Sequence, residues 1–297
     1  MSDYVIMVDS TSDLPPAMIQ ELEVEMAPLS FSCGGKFYRQ YDEKNDLAGA
    51  GFFQLLRDGE TATTVQITPA EYIDKLEPHL KAGRDVLLLV FSSQLSGTYQ
   101  SSVVATAELN ERYPDNKVIS IDSKSAAAGF AMLTYYTVQQ KRAGKTIDEL
   151  ADWVRDARSH NCHWVTVSDL NHLKRGGRLS SASALFGTLL NVKPIIIMDD
   201  DGCLVPVSKV RGRAQSLDRL VDEMEKTFDA TLGTKVYIAH ADVQADAEYL
   251  RDQVKTRIGV QESDITIDYL GPVIGAHTGP GCIALFFMGR QRTSPQA

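Results

Sequence analysis

Three short runs in the first half of the chain, residues 4–8, 86–91 and 118–121, are apolar at nearly every position and are bounded by turn-forming residues. Runs of that length and uniformity read as strands covered on both faces. Helical spacing takes over between and after them. Thr68-Pro69-Ala70-Glu71 is a capping box with proline at the first helical position, and Tyr72, Ile73, Leu76 and Leu80 then repeat on one face. A second box, Thr146-Ile147-Asp148-Glu149, opens a helix whose Ile147, Leu150, Ala151 and Val154 face inward. Further helices are predicted after Pro15-Pro16, over residues 101–109 and on to Tyr113, and over 127–142. This alternation predicts a parallel sheet with helices on both faces.

Beyond residue 160 the pattern changes. Residues 194–198 and 203–209 predict an antiparallel hairpin with Asp201-Gly202 as its turn. A capped amphipathic helix is expected after Ser216, with Leu217, Leu220, Val221, Met224 and Phe228 on one face. Strands over 235–239, 265–269 and 282–288 and a helix over 245–258 complete a mixed sheet. A chain of 297 residues exceeds one ordinary core. The expected fold is therefore α/β. A three-layer domain with a parallel sheet spans 1–160, an α/β domain with a mixed sheet spans 161–290, a ligand cleft lies between them, and 291–297 form a tail.

The net charge of −9 excludes the basic footprint of a nucleic-acid binder. Between Lys174 and Arg213 the balance reverses, with seven basic residues against three acids. Leu173-Lys-Arg-Gly-Gly-Arg-Leu179 and Lys209-Val-Arg-Gly-Arg213 are candidates for a phosphate, an anionic membrane surface or an acidic protein, and equally for a solvated basic face. Residues 182–190 between them are apolar on most faces, as a wall against a sheet or ligand would be. The four cysteines are scattered, with no zinc spacing, which fits reduced thiols. The N-terminus lacks the basic and apolar regions of a signal peptide, so a cytoplasmic protein is expected.

Three predicted strand ends carry hydroxyl-rich loops: Asp9-Ser-Thr-Ser-Asp13, Ser92–Thr98 and Asp122-Ser-Lys-Ser125. In a parallel sheet such loops share one rim, where ligands bind. Each is also what a plain helix N-cap looks like. In the middle loop Ser96 and Thr98 offer hydroxyl donors, and Gly97 permits close approach to the backbone. Asp9, Asp13 and Asp122 disfavour a bare polyphosphate and leave open a singly charged ligand, or one that brings Mg²⁺. Gly144-Lys145-Thr146 lacks the upstream glycine of a phosphate-binding loop, and Ser96-Gly97 lacks the elbow of a hydrolase. No catalytic residue and no metal ligand set stands out. Four glycines and two prolines surround His277-Thr278 within 271–281, which reads as a rigid loop positioning an imidazole, or as a turn whose histidine caps a carbonyl.

Taken together, these motifs resemble the DegV family of fatty-acid-binding proteins, B-subunits of bacterial fatty-acid kinases. The likeness runs along nearly the whole chain, through Asp9-Ser-Thr-Ser-Asp13, Leu95-Ser-Gly-Thr-Tyr-Gln100, Asp122-Ser123, residues 173–179, Leu189-Leu-Asn-Val-Lys-Pro194, Val210-Arg-Gly212 and Gly275-Ala-His-Thr-Gly-Pro-Gly281. It implies two α/β domains and no cofactor. A long-chain fatty acid is bound with its carboxylate exposed to a separate ATP-dependent kinase, for acyl-phosphate formation. By match to the family motifs, Ser96 and Thr64 contact the carboxylate and His277 completes the network, with Gly97, Thr98 and Thr278 beside them. Here the threonine segment reads Thr63-Thr64-Val65-Gln66-Ile67, with valine for serine and isoleucine for proline, so Thr63 is the fallback for Thr64. Arg178 and Arg211 match arginines on the kinase-facing side. The competing reading is a Mg²⁺-dependent acyl- or phosphoryl-transfer enzyme using Asp9, Asp13 and Asp122.

Overall fold

The computed structural model describes residues 4–42, 44, 47–179 and 191–292. The apolar wall expected at 182–190 lies outside the described residues. Strands β1 (Tyr4–Asp9) and β6 (Asp85–Val90) are buried at every position. Successive side chains on a strand point to opposite faces, so both faces of this sheet are covered. With β2 (Glu25–Ala27) and β7 (Val118–Asp122) they form a parallel sheet in the order β2-β1-β6-β7.

Helices α3 (Pro69–Lys81) and α6 (Ile147–Ala157) begin with the two capping boxes, both complete. In α3, Tyr72, Leu76 and Leu80 are buried, as the sequence predicts. Helix α4 (Thr98–Arg112) starts three residues before the predicted Ser101, because Gly97 already enters the helical region of backbone space. Helix α5 (Ala127–Arg142) is buried at every position from Ala127 to Thr134. It packs on the first sheet's flanking elements and also on β8 (Asn161–Thr166), β11 (Val236–His240) and β13 (Ile283–Met288). An all-round apolar helix of this kind belongs between two layers.

The second sheet is mixed and six-stranded, in the order β10-β9-β8-β13-β11-β12. Strands β9 (Val192–Met198) and β10 (Leu204–Arg211) form the predicted hairpin. Its turn is longer than the two residues expected. Asp199 N–H pairs with the Cys203 carbonyl at 2.9 Å, and Gly202 takes φ 92°, the positive-φ position of a three-residue loop. Helix α8 (Arg213–Thr227) begins before Ser216 rather than after it. Ser216 Oγ donates back to the Arg213 carbonyl at 2.6 Å instead of capping the helix. Helix α9 (Gln244–Ile258) and β12 (Ile265–Tyr269) follow the prediction closely.

Neither β2 nor β8 was predicted, and two larger features were also not. A three-stranded antiparallel sheet, β4 (Lys36–Arg39), β3 (Ser30–Cys33) and β5 (Ala62–Val65), joins α2 (Gly49–Arg57) beside the cleft. The start of the expected tail is also tied down. Arg292 is buried, and its guanidinium donates to the carbonyls of Asn161, Lys124, Asp199 and Arg158.

Candidate functional site

Because β1, β6 and β7 are neighbours, their three loops do share one rim. The loops are bonded to each other. Phe91 N–H donates to Asp9 Oδ2 at 2.6 Å, Ser93 N–H to Asp122 Oδ1 at 3.2 Å, and Ser92 N–H to the Ser125 carbonyl at 3.1 Å. Asp9 also accepts from the backbone and hydroxyl of Thr11. Burial nevertheless pushes its carboxyl up to about 6. Both oxygens of Asp9 and Oδ1 of Asp122 thus accept hydrogen bonds from the loops themselves. Among the described residues, no group of three or more His, Cys, Asp or Glu side chains is placed to hold a metal ion.

Ser96 and Thr64 meet across a cavity of about 320 Å³ between this rim, β5 and a short helix, α10 (Pro272–Thr278). His277 therefore rides in the last turn of a helix, not in the glycine-rich loop expected. Its Nε2 lies 2.9 Å from Thr64 Oγ1. Register decides which threonine does this. Thr64 pairs with buried Phe31 and shares its inner face, whereas Thr63 faces outward and its hydroxyl pairs with Ser32 Oγ at 2.8 Å. On the other side of the ring, Gly176 leaves room for Nδ1, since a Cβ at that residue would collide with it. Burial, then the nearby charge of Arg178, pull the imidazole down to about 4, so it is neutral at physiological pH.

Arg178, expected as a docking residue, is half-buried. It lines the same cavity, held by Nε donating to the Leu95 carbonyl at 3.1 Å and by a second bond to the Gly176 carbonyl. Ser96 Oγ is 2.9 Å from Thr98 Oγ1 and accepts from Thr98 N–H at 3.2 Å. Gly97 and Thr98 do not line the cavity, because Thr98 is the fully buried first residue of α4 and supports Ser96 from behind. A Cβ at position 97 would meet the amide end of Gln66, whose Nε2 donates to Ser101 Oγ at 3.3 Å. Thr278 lines the cavity, while Arg211 sits at the exposed end of β10, away from it.

Thr64, Ser96, Arg178 and His277 are shared with the surface side or the loop rim, and an inner extension keeps Thr278 and His163 among its apolar lining. Leu29, Phe91, Leu95, Leu173, Leu204, Val273 and Ile274 also line the main cavity. The extension, a smaller cavity of about 50 Å³, shares Ala126, Leu173, Leu204, Ile274 and Thr278 with the first and runs on between Val165, Ile196, Met198 and Phe286. Towards the surface, a cavity of about 330 Å³ shares Thr64, Arg178 and His277 and is lined by Glu60, Thr61, Thr63, His172 and Arg175. The arrangement is a mostly apolar pocket, a set of hydroxyl, imidazole and guanidinium groups towards the surface, and a vestibule that holds two arginines and Glu60.

Comparison with known proteins gives the class. Residues 3–290 match the profile of the DegV family, described as an uncharacterised protein family. A DegV domain-containing protein of Clostridium perfringens is 39% identical over 97% of this chain and 98% of its own, and one from Streptococcus pyogenes is 34% identical over 97% and 98%. The chain belongs to the DegV family. Its fold superposes on a DegV family protein from Thermus thermophilus described by its fatty-acid binding, with a TM-score of 0.85, 26% identity and coverage of 97% and 100%. A fatty-acid-binding DegV family protein from Streptococcus agalactiae gives 0.83 at 27% identity, with coverage of 98% and 100%.

Proposed function

We propose that this protein binds one long-chain fatty acid, with its carboxylate at Thr64, Ser96, His277 and Arg178 and its tail in the channel past Ile274. The observation that carries the reading is the gradient of that channel's lining: Thr64, Arg178 and His277 are shared with the surface cavity, and the inner extension is mostly apolar. Each buried methylene contributes about 0.8 kcal/mol, so the tail dominates affinity while the head group fixes orientation. A single negative charge beside Arg178 suits this mouth, and the relatives of known structure described as fatty-acid-binding support the assignment.

The protein then acts as a carrier without chemistry of its own and presents the carboxylate to a separate ATP-dependent fatty-acid kinase. The vestibule favours this, since Arg175 and Arg178, beside one acid, Glu60, line the surface side of the head-group site, where a partner's phosphoryl donor would approach. Arg211 extends the basic surface towards such a partner, and transient contact with an anionic membrane is compatible with it. The lobe 1–160 supplies Thr64 and Ser96, and the lobe 161–290 supplies Arg178, His277 and most of the tail pocket, in a cytoplasmic protein. Among the described residues, no helix is long and apolar enough to cross a membrane.

The discriminating experiment is uptake of oleate against oleyl alcohol by the delipidated protein. Preference for the acid supports the carboxylate mouth. Failure to take up either overturns the assignment.

A further inference from the structure

Asp13 closes the Asp9-Ser-Thr-Ser-Asp13 motif, yet the cavity at Ser96 does not use it. It is 7% exposed and held in the left-handed backbone region at φ 50°. Gln40, immediately after β4, is 3% exposed, and its Nε2 donates to Asp13 Oδ1 at 3.2 Å. The backbone N–H of Gly271, which caps α10, donates to the same carboxyl. Two buried oxygens are left over. Asp13 Oδ2 and Gln40 Oε1 find no hydrogen-bond partner among the described residues.

A carboxylate oxygen and an amide oxygen are both acceptors, so neither can satisfy the other. One proton resolves both. A carboxylic acid facing a primary amide closes a ring of two hydrogen bonds, Nε2–H to Oδ1 and Oδ2–H to Oε1. The first is present, and the second supplies what each leftover oxygen lacks. We propose that Asp13 is held as a neutral carboxylic acid paired with the Gln40 amide, and that this pair is a positioning element for His277.

The surroundings favour the neutral form. Asp9 from the same loop and Asp268 from β12 add negative charge, and burial outweighs the accepted hydrogen bonds to raise the Asp13 carboxyl to about 7. Asp13, Gln40 and Asp268 line a cavity of about 180 Å³ together with Tyr41 and Tyr269, and no lysine or arginine is among the described residues that line it. The pair also bridges two elements that matter. Gln40 continues the sheet that carries Thr64, and Gly271 opens the helix that carries His277, so this tie and the Thr64–His277 bond hold opposite ends of one junction. The positioning role rests on the carboxylate reading of the site; the acid–amide pair does not.

Asparagine at position 13 keeps the ring, with Nδ2–H in place of the acid O–H, and has no proton to lose. Infrared difference spectra of wild type against Asp13→Asn near neutral pH are expected to show a protonated carboxylic acid in the wild type alone. The proton is held to a higher pH in the folded than in the unfolded chain. The contribution of the pair is therefore full at acid pH and is lost as pH rises from the ordinary aspartate range through about 7. Asp13→Asn should accordingly melt at least as high as wild type, with a margin that grows from about pH 5 to about pH 8. No carboxylic acid band, or a variant that melts lower by a pH-independent margin, overturns the pair. Asp13→Ala should weaken oleate binding about tenfold, with Asn restoring it. Unchanged affinity in Asp13→Ala overturns the positioning role. A wild type that shows the band but takes up no fatty acid sinks the lipid reading and leaves the pair standing; uptake without the band does the reverse.

Discussion

Thr64 on β5 and His277 on α10 are 213 residues apart in sequence and share a 2.9 Å hydrogen bond. That bond closes the mouth of the channel on the side opposite Ser96. It depends on the packing of a helix from the second half of the chain against a sheet from the first.

Removing the hydroxyl across the mouth tests the head group directly. Ser96→Ala should weaken binding of a fatty acid by about 1–3 kcal/mol and leave a fatty alcohol less affected. Titration calorimetry with both ligands measures the difference.

Gly176 has φ −71°, so alanine is compatible with its backbone. Its Cβ, however, would run into His277 Nδ1. Gly176→Ala should therefore keep the fold, seen as an unchanged far-ultraviolet circular dichroism spectrum, and reduce fatty-acid affinity as His277→Ala does. Full affinity in the alanine variant would show that the position of the ring is unimportant.

The neutral imidazole of His277 carries a pH signature. Burial lowers its value in the folded state to about 4, below that in the unfolded chain. Its stabilising contribution is therefore present above the ordinary histidine range and is lost as pH falls through about 4. Thermal melts of wild type and His277→Gln should diverge in slope across that acid window and run parallel at neutral pH.

Ile274 lines both the main cavity and its inner extension. Ile274→Trp should block the junction, so that the bound acid becomes shorter or is lost while the protein stays folded. Mass spectrometry of the extracted lipid reads the chain length.

Capping boxes are local devices, so Thr146→Ala should lower stability by about 1 kcal/mol without altering ligand affinity. Denaturant unfolding alongside oleate titration separates the two.

Much of this was legible from residue order. Both capping boxes, the buried run at 86–91 and the helix over 127–142 follow from local chemistry and appear as predicted, and the strand at 118–121 forms with Ile119 and Ser120 only partly buried. Ser96 and His277 were legible as candidates for the same reason, since turn chemistry marks their segments, and both line the cavity. The sheet that carries Thr64 was not. Its strands are four residues long; Ser30-Phe31-Ser32-Cys33 alternates, but too briefly to stand out, and the other two hold exposed Phe37 and Val65. His277 was expected in a loop because glycine and proline dominate its segment, yet Pro272 at the first helical turn opens α10. The inward turn of Arg178 depends on the Leu95 and Gly176 carbonyls, a tertiary fact that charge patterning cannot show.

The central claim is that the cavity behind Thr64, Ser96 and His277 holds a long-chain fatty acid. Native mass spectrometry of the purified protein, followed by organic extraction, tests it most directly. A mass excess that resolves after extraction into a C14–C18 carboxylic acid is the predicted result. Protein that carries no lipid and stays empty after incubation with oleate or palmitate would contradict it.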